Sequence, residues 1–330
     1  MKNRIATSAF FGIDFQTNAA IVLMLENIKD LKTIRMEGYE DIEIGLDDDS
    51  FVLAQAKSVV QGSTDFSHVT QNFQNAIESL SDAVQKSPSV NKLIYITNSA
   101  DPLGVPSERH IFMGLPSHRY YNELPTDSKK KVDNVLSSLG IQIDISKLLI
   151  QTLPFETDFL EERYKWVINA IRDFLNPIGV NINPSELHRI WKNDIFNSGT
   201  KRNQELKLTK NDIVWPTIVL ATRNLNFDDE DIEDSEAEEI TKLYNDVINT
   251  LTEKYEFVTK VLFSFNEYKG GNSKNERKKL FIKSKYQEFL YLLEGIDMSD
   301  EVKESLIKII LHSILNKRVQ IDNIKKASNL

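Results

Sequence analysis

The spacing of apolar positions changes twice along the chain. Over residues 12–30, Phe15, Ala19, Val22, Leu23 and Leu25 recur at helical intervals behind Asp14, which predicts a helix. The period then falls to two. Thr33 to Tyr39, Asp41 to Leu46 and Phe51 to Val59 read as strands, the last two joined by the polar turn Asp47-Asp48-Asp49-Ser50. A second amphipathic helix is predicted over 66–86, with Phe73, Ile77, Leu80 and Val84 on one side, and after it a buried strand, Lys92 to Thr97. The predicted order is helix, three-stranded meander, helix, strand.

Residues 100–127 are punctuated by prolines and read as a loop-rich connection. Beyond them the pattern is helical, most clearly at 128–139, 156–175, 184–194, 236–264, 277–295 and 299–316. The expected organisation is an α/β core over 1–125, a helical extension over 126–220 and a helical docking or oligomerisation region over 221–330.

Alternation sets the chemistry of the strand hairpin, because successive side chains of a strand point to opposite sides. Asp41 and Glu43 share one face, with Ile42 and Ile44 on the other; in the next strand Gln55 and Lys57 share a face, with Ala54 and Ala56 opposite. If the polar sides coincide, a carboxylate, an amide carbonyl and an amine converge. Oxygen donors suit a hard ion such as Mg²⁺, and an ammonium beside them steadies negative charge, which is the equipment for metal-assisted phosphodiester hydrolysis. The competing reading is a cross-strand ion pair, with lysine guarding a sheet edge.

Three segments carry a resemblance. Gly12-Ile-Asp-Phe-Gln16 in the first helix, Glu37-Gly-Tyr-Glu-Asp41-Ile-Glu-Ile before a turn, and Ala54-Gln55-Ala-Lys57-Ser58 together resemble a PD-(D/E)xK, restriction-endonuclease-like nuclease. More narrowly they resemble the double-stranded-DNA endonuclease domain of bacterial CBASS effectors, which also serves as the nuclease subunit of Lamassu anti-phage systems. The likeness is strong to about residue 60 and looser to about 220. It implies a restriction-endonuclease-like core and a Mg²⁺- or Mn²⁺-dependent endodeoxyribonuclease acting as the effector subunit of an anti-phage complex. It also implies partner subunits, such as an SMC-like or other ATPase, and a homo-oligomer when active.

The resemblance further implies roles. Asp41 is the metal-binding aspartate, Gln55 presents a carbonyl oxygen at the acid/glutamine position, and Lys57 polarises the attacking water or stabilises the transition state. Glu37 is a second ligand or orienting group and Gln16 an accessory residue. Glu43 is expected as an accessory, solvated or orienting side chain, and Glu40 points away from the site. The bland reading of Gln16 is packing at the first turn of its helix. A catalytically silent scaffold that keeps the fold is the alternative function, and an RNA-cutting enzyme a weaker third.

Composition narrows the field. The 330 residues contain no cysteine, so thiolate zinc sites, iron–sulfur clusters and cysteine nucleophiles are excluded. Five histidines show no HExxH spacing, and no Gly-rich phosphate loop is present. The longest strongly apolar run, Ala19 to Leu25, is far below the ~20 residues of a membrane-spanning helix, and a cytoplasmic location is expected. Charge brings a conflict. Residues 1–125 hold 10 Lys and Arg against 16 Asp and Glu, whereas a free-standing DNA binder is basic. Asp228 to Glu239 carries nine acids in twelve positions, and 254–285 carries nine Lys or Arg against three Glu. The missing positive charge is expected from that basic stretch, from a partner, or from assembly.

Overall fold

The computed structural model describes residues 3–87, 89–200, 207–222, 234–252 and 254–330. The chain divides into two compact units, Met1–Pro177 with Asn183–Ile213 and Ser328–Leu330, and Ile178–Ile182 with Val214–Ala327. The first is α/β. It opens with α1 (Asn3–Glu26), the antiparallel meander β1 (Leu31–Met36), β2 (Ile42–Leu46) and β3 (Phe51–Lys57), then α2 (Val69–Lys86) and β4 (Val90–Thr97). β4 lies parallel to β3, with α2 as the crossover. The predicted order of these six elements matches the structure.

Three further strands widen the sheet. β5 (Ser117–Tyr120) lies in the segment expected to be loop, and β6 (Leu148–Thr152) and β7 (Leu208–Thr209) were not predicted. The mixed sheet runs β5-β6-β4-β3-β2-β1-β7. β6 is buried at all five positions, so it lacks the alternation that marks a half-buried strand. β7 has two residues, too few to show any period, and is defined only by pairing with β1.

α2 is amphipathic and buries Phe73, Ile77 and Leu80 in one cluster with Leu53, Leu93, Tyr95, Leu148 and Ile150 from the sheet. Each such side chain contributes roughly 1.5–3 kcal/mol when fully buried. α1 begins nine residues earlier than the pattern predicts. Asp14 is not a cap: its carboxylate binds Lys192 Nζ at 2.6 Å and accepts from the Tyr164 hydroxyl at 3.0 Å, partners about 150 and more residues away. The segment Ser8–Glu26 is long and apolar enough, by length and composition, to cross a bilayer, but here Phe15, Ala19, Ala20, Ile21, Leu23 and Met24 are buried in the protein.

α3 (Thr126–Leu139) falls where expected. The helix expected over 156–175 is broken at Tyr164, whose ψ of 2° leaves the helical region, into α4 (Leu160–Arg163) and α5 (Lys165–Leu175). α6 (Pro184–Gly199) starts at an Asn183 cap, whose side chain accepts from the Ser185 N–H, and runs five residues longer than predicted. α7 (Lys210–Thr222) was not predicted.

On α6, His188 is 5% exposed, and its Nε2 donates to Asn18 Oδ1 at 2.7 Å. Burial first, and the Lys192 ammonium second, push it down to about 4. The unfolded chain therefore takes up a proton near pH 6.5 that the folded one refuses until about pH 4, so this part of the stability is lost as pH falls through 6.5. Urea unfolding at pH 5 is expected to show a loss of about 2 kcal/mol relative to pH 7 from this group alone. In His188→Gln that increment disappears; an unchanged pH slope in the variant contradicts the assignment.

The second unit is helical: α8 (Asp234–Leu243), α9 (Asn245–Thr252), α10 (Tyr255–Glu267), α11 (Lys274–Lys285), a 3₁₀ segment Tyr286–Leu293, α12 (Asp300–Asn316) and α13 (Arg318–Ser328). The single helix predicted over 236–264 is thus three. α12 is buried along much of its length, with Leu306, Ile307, Ile310, Leu311 and Ile314 inaccessible. The acidic segment that begins at Asp228 lies outside the described residues as far as Glu233. Part of the basic stretch is engaged within this unit: Arg277 donates to the Phe265 carbonyl at 2.9 Å and Lys278 to Asn316 at 2.7 Å.

Candidate active site

The register of the meander places the central pair. Ile42 lies opposite Ala54, so Asp41, one residue before β2, faces Gln55. One oxygen of the Asp41 carboxylate accepts from the Gln55 side-chain amide and from the Ala56 backbone N–H at 3.0 Å. Gln16, on the middle of α1, hydrogen-bonds the same carboxylate, and the charge of Lys57 acts on it. Gln16 from α1 and the end of β3 therefore meet on one aspartate, at the end of the sheet. Gln16 is not simply a packing residue.

Around this pair the acids are crowded. Burial holds the Asp41 carboxyl above its ordinary value, while the Ala56 N–H, Lys57, Gln16 and Gln55 pull it down. Glu37 is also raised, by burial of its carboxyl first and the Asp41 charge second, with Lys57 opposing. Its side chain is more open to solvent than those of its neighbours, and its φ of 54° sets the sharp turn between β1 and β2. The turn is closed by the Glu37 N–H to the Asp41 carbonyl at 3.0 Å.

Glu40 corrects the sequence reading. Alternation points it away from the site, but Glu40 is in the turn and not in a strand, so a period of two does not apply. It is 5% exposed, its Oε2 accepts from the Asp41 N–H at 3.3 Å, and its field is felt with those of Asp41 and Lys57. Burial, offset in part by the nearby Ser79 hydroxyl, pushes it up to about 7.

Of the two places expected for Glu43, solvated or orienting, burial excludes the first. It is 1% exposed, with Oε2 on Arg35 at 2.6 Å and Oε1 on Lys207 at 3.1 Å, and it also accepts from the Tyr39 N–H at 3.1 Å. The solvated reading is overturned. Glu43 is shared between two cations, Arg35 and Lys207, and its bond to the Tyr39 N–H pins the turn that presents Asp41. Gly38 fits this corner because a Cβ there would come within 2.6 Å of the Glu43 carboxylate.

The segment beyond Lys57 is clamped. The Asn98 side chain donates to the Val59 and Phe155 carbonyls at 2.7 and 2.6 Å and accepts from the Val59 N–H at 2.8 Å. Alongside, a groove of ≈ 670 Å³ is lined by Phe10, Ile13, Val60, Arg163, Lys192 and Phe196 among others. Ile13 is one helical turn from Gln16, and Val60 is three residues from Lys57. Arg163 and Lys192 are both paired with Asp14.

No protein-family model, curated protein or solved structure matches the chain. Chemistry must therefore be argued from the site itself. The donors Asp41, Glu37 and a Gln55 carbonyl are hard oxygens of the kind Mg²⁺ and Mn²⁺ take. Gln55 has its amide nitrogen on Asp41, so it offers an ion its carbonyl only after the amide turns over. Among the described residues no three Asp, Glu or His side chains form a ready cage.

Proposed function

We propose that the chain is a metal-dependent double-stranded-DNA endonuclease with a restriction-endonuclease-like core, the effector subunit of a bacterial anti-phage complex that becomes active on assembly or partner binding. One observation carries the reading: Asp41 joins the Gln55 amide, the Ala56 N–H and Gln16 beside the Lys57 ammonium. A helix, a three-stranded meander, a crossover helix and a parallel strand support that arrangement.

Asp41 and Glu37, with a turned Gln55, would hold Mg²⁺. When bound, the ion supplies Lewis-acid stabilisation of the phosphoryl oxygens and lowers the pKa of water. Gln16 and the Ala56 N–H fix the Asp41 carboxylate, so one oxygen is oriented before substrate arrives. The Lys57 ammonium would stabilise the negative charge that grows on the phosphoryl oxygens as water attacks and the opposite P–O bond breaks. The groove next to the site offers room for a strand, but its two cations are neutralised in part by Asp14. With a net charge of −6 over residues 1–125, phosphate binding depends on more than this segment.

The assembled complex, incubated with supercoiled plasmid and Mg²⁺, is expected to yield nicked and linear DNA, with EDTA stopping the reaction and added Mg²⁺ restoring it. An RNA duplex run in parallel is expected to survive. The acidic balance favours a second reading, a silent scaffold of the same fold, and an intact plasmid with the fully assembled complex would establish it.

A further inference from the structure

We propose that the groove beside the site holds an unpaired nucleotide of the DNA strand, its base against the Phe10 and Phe196 rings and its phosphodiester on Arg163 and Lys192; this rests on the nuclease reading above. The groove has a volume of ≈ 670 Å³, in the range of small-ligand sites. Large apolar side chains line it uncovered: Phe10 is 74% exposed, Val60 47% and Phe196 45%. Apolar surface gathered in this way on a folded protein marks a binding site. The cations are built in. The Arg163 guanidinium lies over the Phe11 and Phe155 rings at 5.2 and 5.9 Å, and Lys192 Nζ is 4.6 Å from the Tyr164 ring centroid and donates to its hydroxyl at 2.7 Å.

Charge decides the kind of ligand. Arg163 and Lys192 share the Asp14 carboxylate, at 3.5 and 2.6 Å. A second acid, Asp158, meets Arg163 at 3.4 Å, but its side chain stands wholly in solvent, where its charge is screened. His188, whose ring packs on Tyr164 at 4.9 Å, is uncharged at neutral pH. The sheltered floor of the groove therefore carries one positive charge in excess, which one phosphodiester cancels. A wholly apolar occupant would bury that charge unpaired, and a bare anion would leave the aromatic wall wet. A nucleotide brings both a flat apolar base and a single negative charge. Bases inside a duplex are paired and stacked on one another, so the base that reaches this wall is an unpaired one. Position points to the strand being cut: Ile13 is one helical turn from Gln16, and Val60 follows Lys57 by three residues, next to the Val59 backbone that Asn98 clamps.

The test measures the fluorescence anisotropy of labelled DNA with the full chain, in EDTA and at about 50 mM salt, where phosphate contacts are strong. A duplex with a single-stranded thymidine tail is expected to bind about tenfold tighter than the same duplex with blunt ends, the scale of one stacked base. In the double variant Phe10→Ala, Phe196→Ala, which changes only exposed rings, that preference is expected to vanish while the melting temperature holds. Lys192→Gln should lower the slope of log affinity for the tailed DNA against log salt by about 0.7, one phosphate contact, with Arg163→Gln serving if it misfolds. A preference that persists in the double variant, an unchanged slope in both cation variants, or wild type that binds tailed DNA no better than blunt overturns the proposal; the plasmid assay on the assembled complex then decides the nuclease reading separately. Sedimentation of the same samples supplies the other contrary outcome: a wild-type dimer that the double variant makes monomeric assigns the groove to a second copy of the chain and overturns the nucleotide.

Discussion

Lys57→Ala is expected to reduce plasmid cleavage by the assembled complex by about 10²–10³-fold, the scale of losing one donor aimed at transition-state charge. The loss should fall on kcat. The lysine matters most when negative charge grows on the phosphoryl oxygens in the transition state. Folding should survive, because Lys57 ends β3 half-exposed and fills no core volume; a change in stability within about 1 kcal/mol is expected. Removing the ammonium also removes the one charge that favours ionisation of Glu37, Glu40 and Asp41 together. The pH for half-maximal Mn²⁺ binding should therefore move up. Cleavage at the wild-type rate by a folded Lys57→Ala complex would remove Lys57 from the chemistry.

Glu43→Gln should do the opposite: damage the fold and spare the chemistry. Its carboxylate is almost inaccessible and holds both Arg35 and Lys207. Breaking such a buried arrangement by removing one partner costs about 3–5 kcal/mol, because the remaining charges stay desolvated and uncompensated. Partial exposure of Lys207 puts the expected loss near the lower end, about 3 kcal/mol in urea unfolding at neutral pH. Below the new melting temperature, the folded fraction should keep its Mg²⁺ dependence. Full stability with lost Mn²⁺ binding would instead place Glu43 in the metal site.

These two residues show what was legible in the sequence. Lys57, Gln55 and Asp41 were readable because the hairpin is local: a short polar turn and a period of two fix both strands and their register. Gln16 came from the resemblance. The burial of Glu43 between two cations is not legible in the sequence, since one of them, Lys207, is 164 residues away. Glu40 was misread for another reason. Residues 37–41 form a turn with a positive φ at Glu37, so a strand's alternation does not carry through to Glu40. The sequence puts the start of α1 late because Asp14 looks like a cap, while its real partners are Tyr164, at the break between α4 and α5, and Lys192 on α6. β6 and β7 carry no alternation, one being wholly buried and the other two residues long.

Anomalous diffraction from crystals of this protein grown with Mn²⁺ tests the metal centre most directly. A peak is expected at about 2.0–2.3 Å from an Asp41 carboxylate oxygen, on the Lys57 side of the sheet. Mn²⁺ bound only elsewhere, at the exposed acids Asp47 to Asp49 for instance, with none at Asp41, would contradict it.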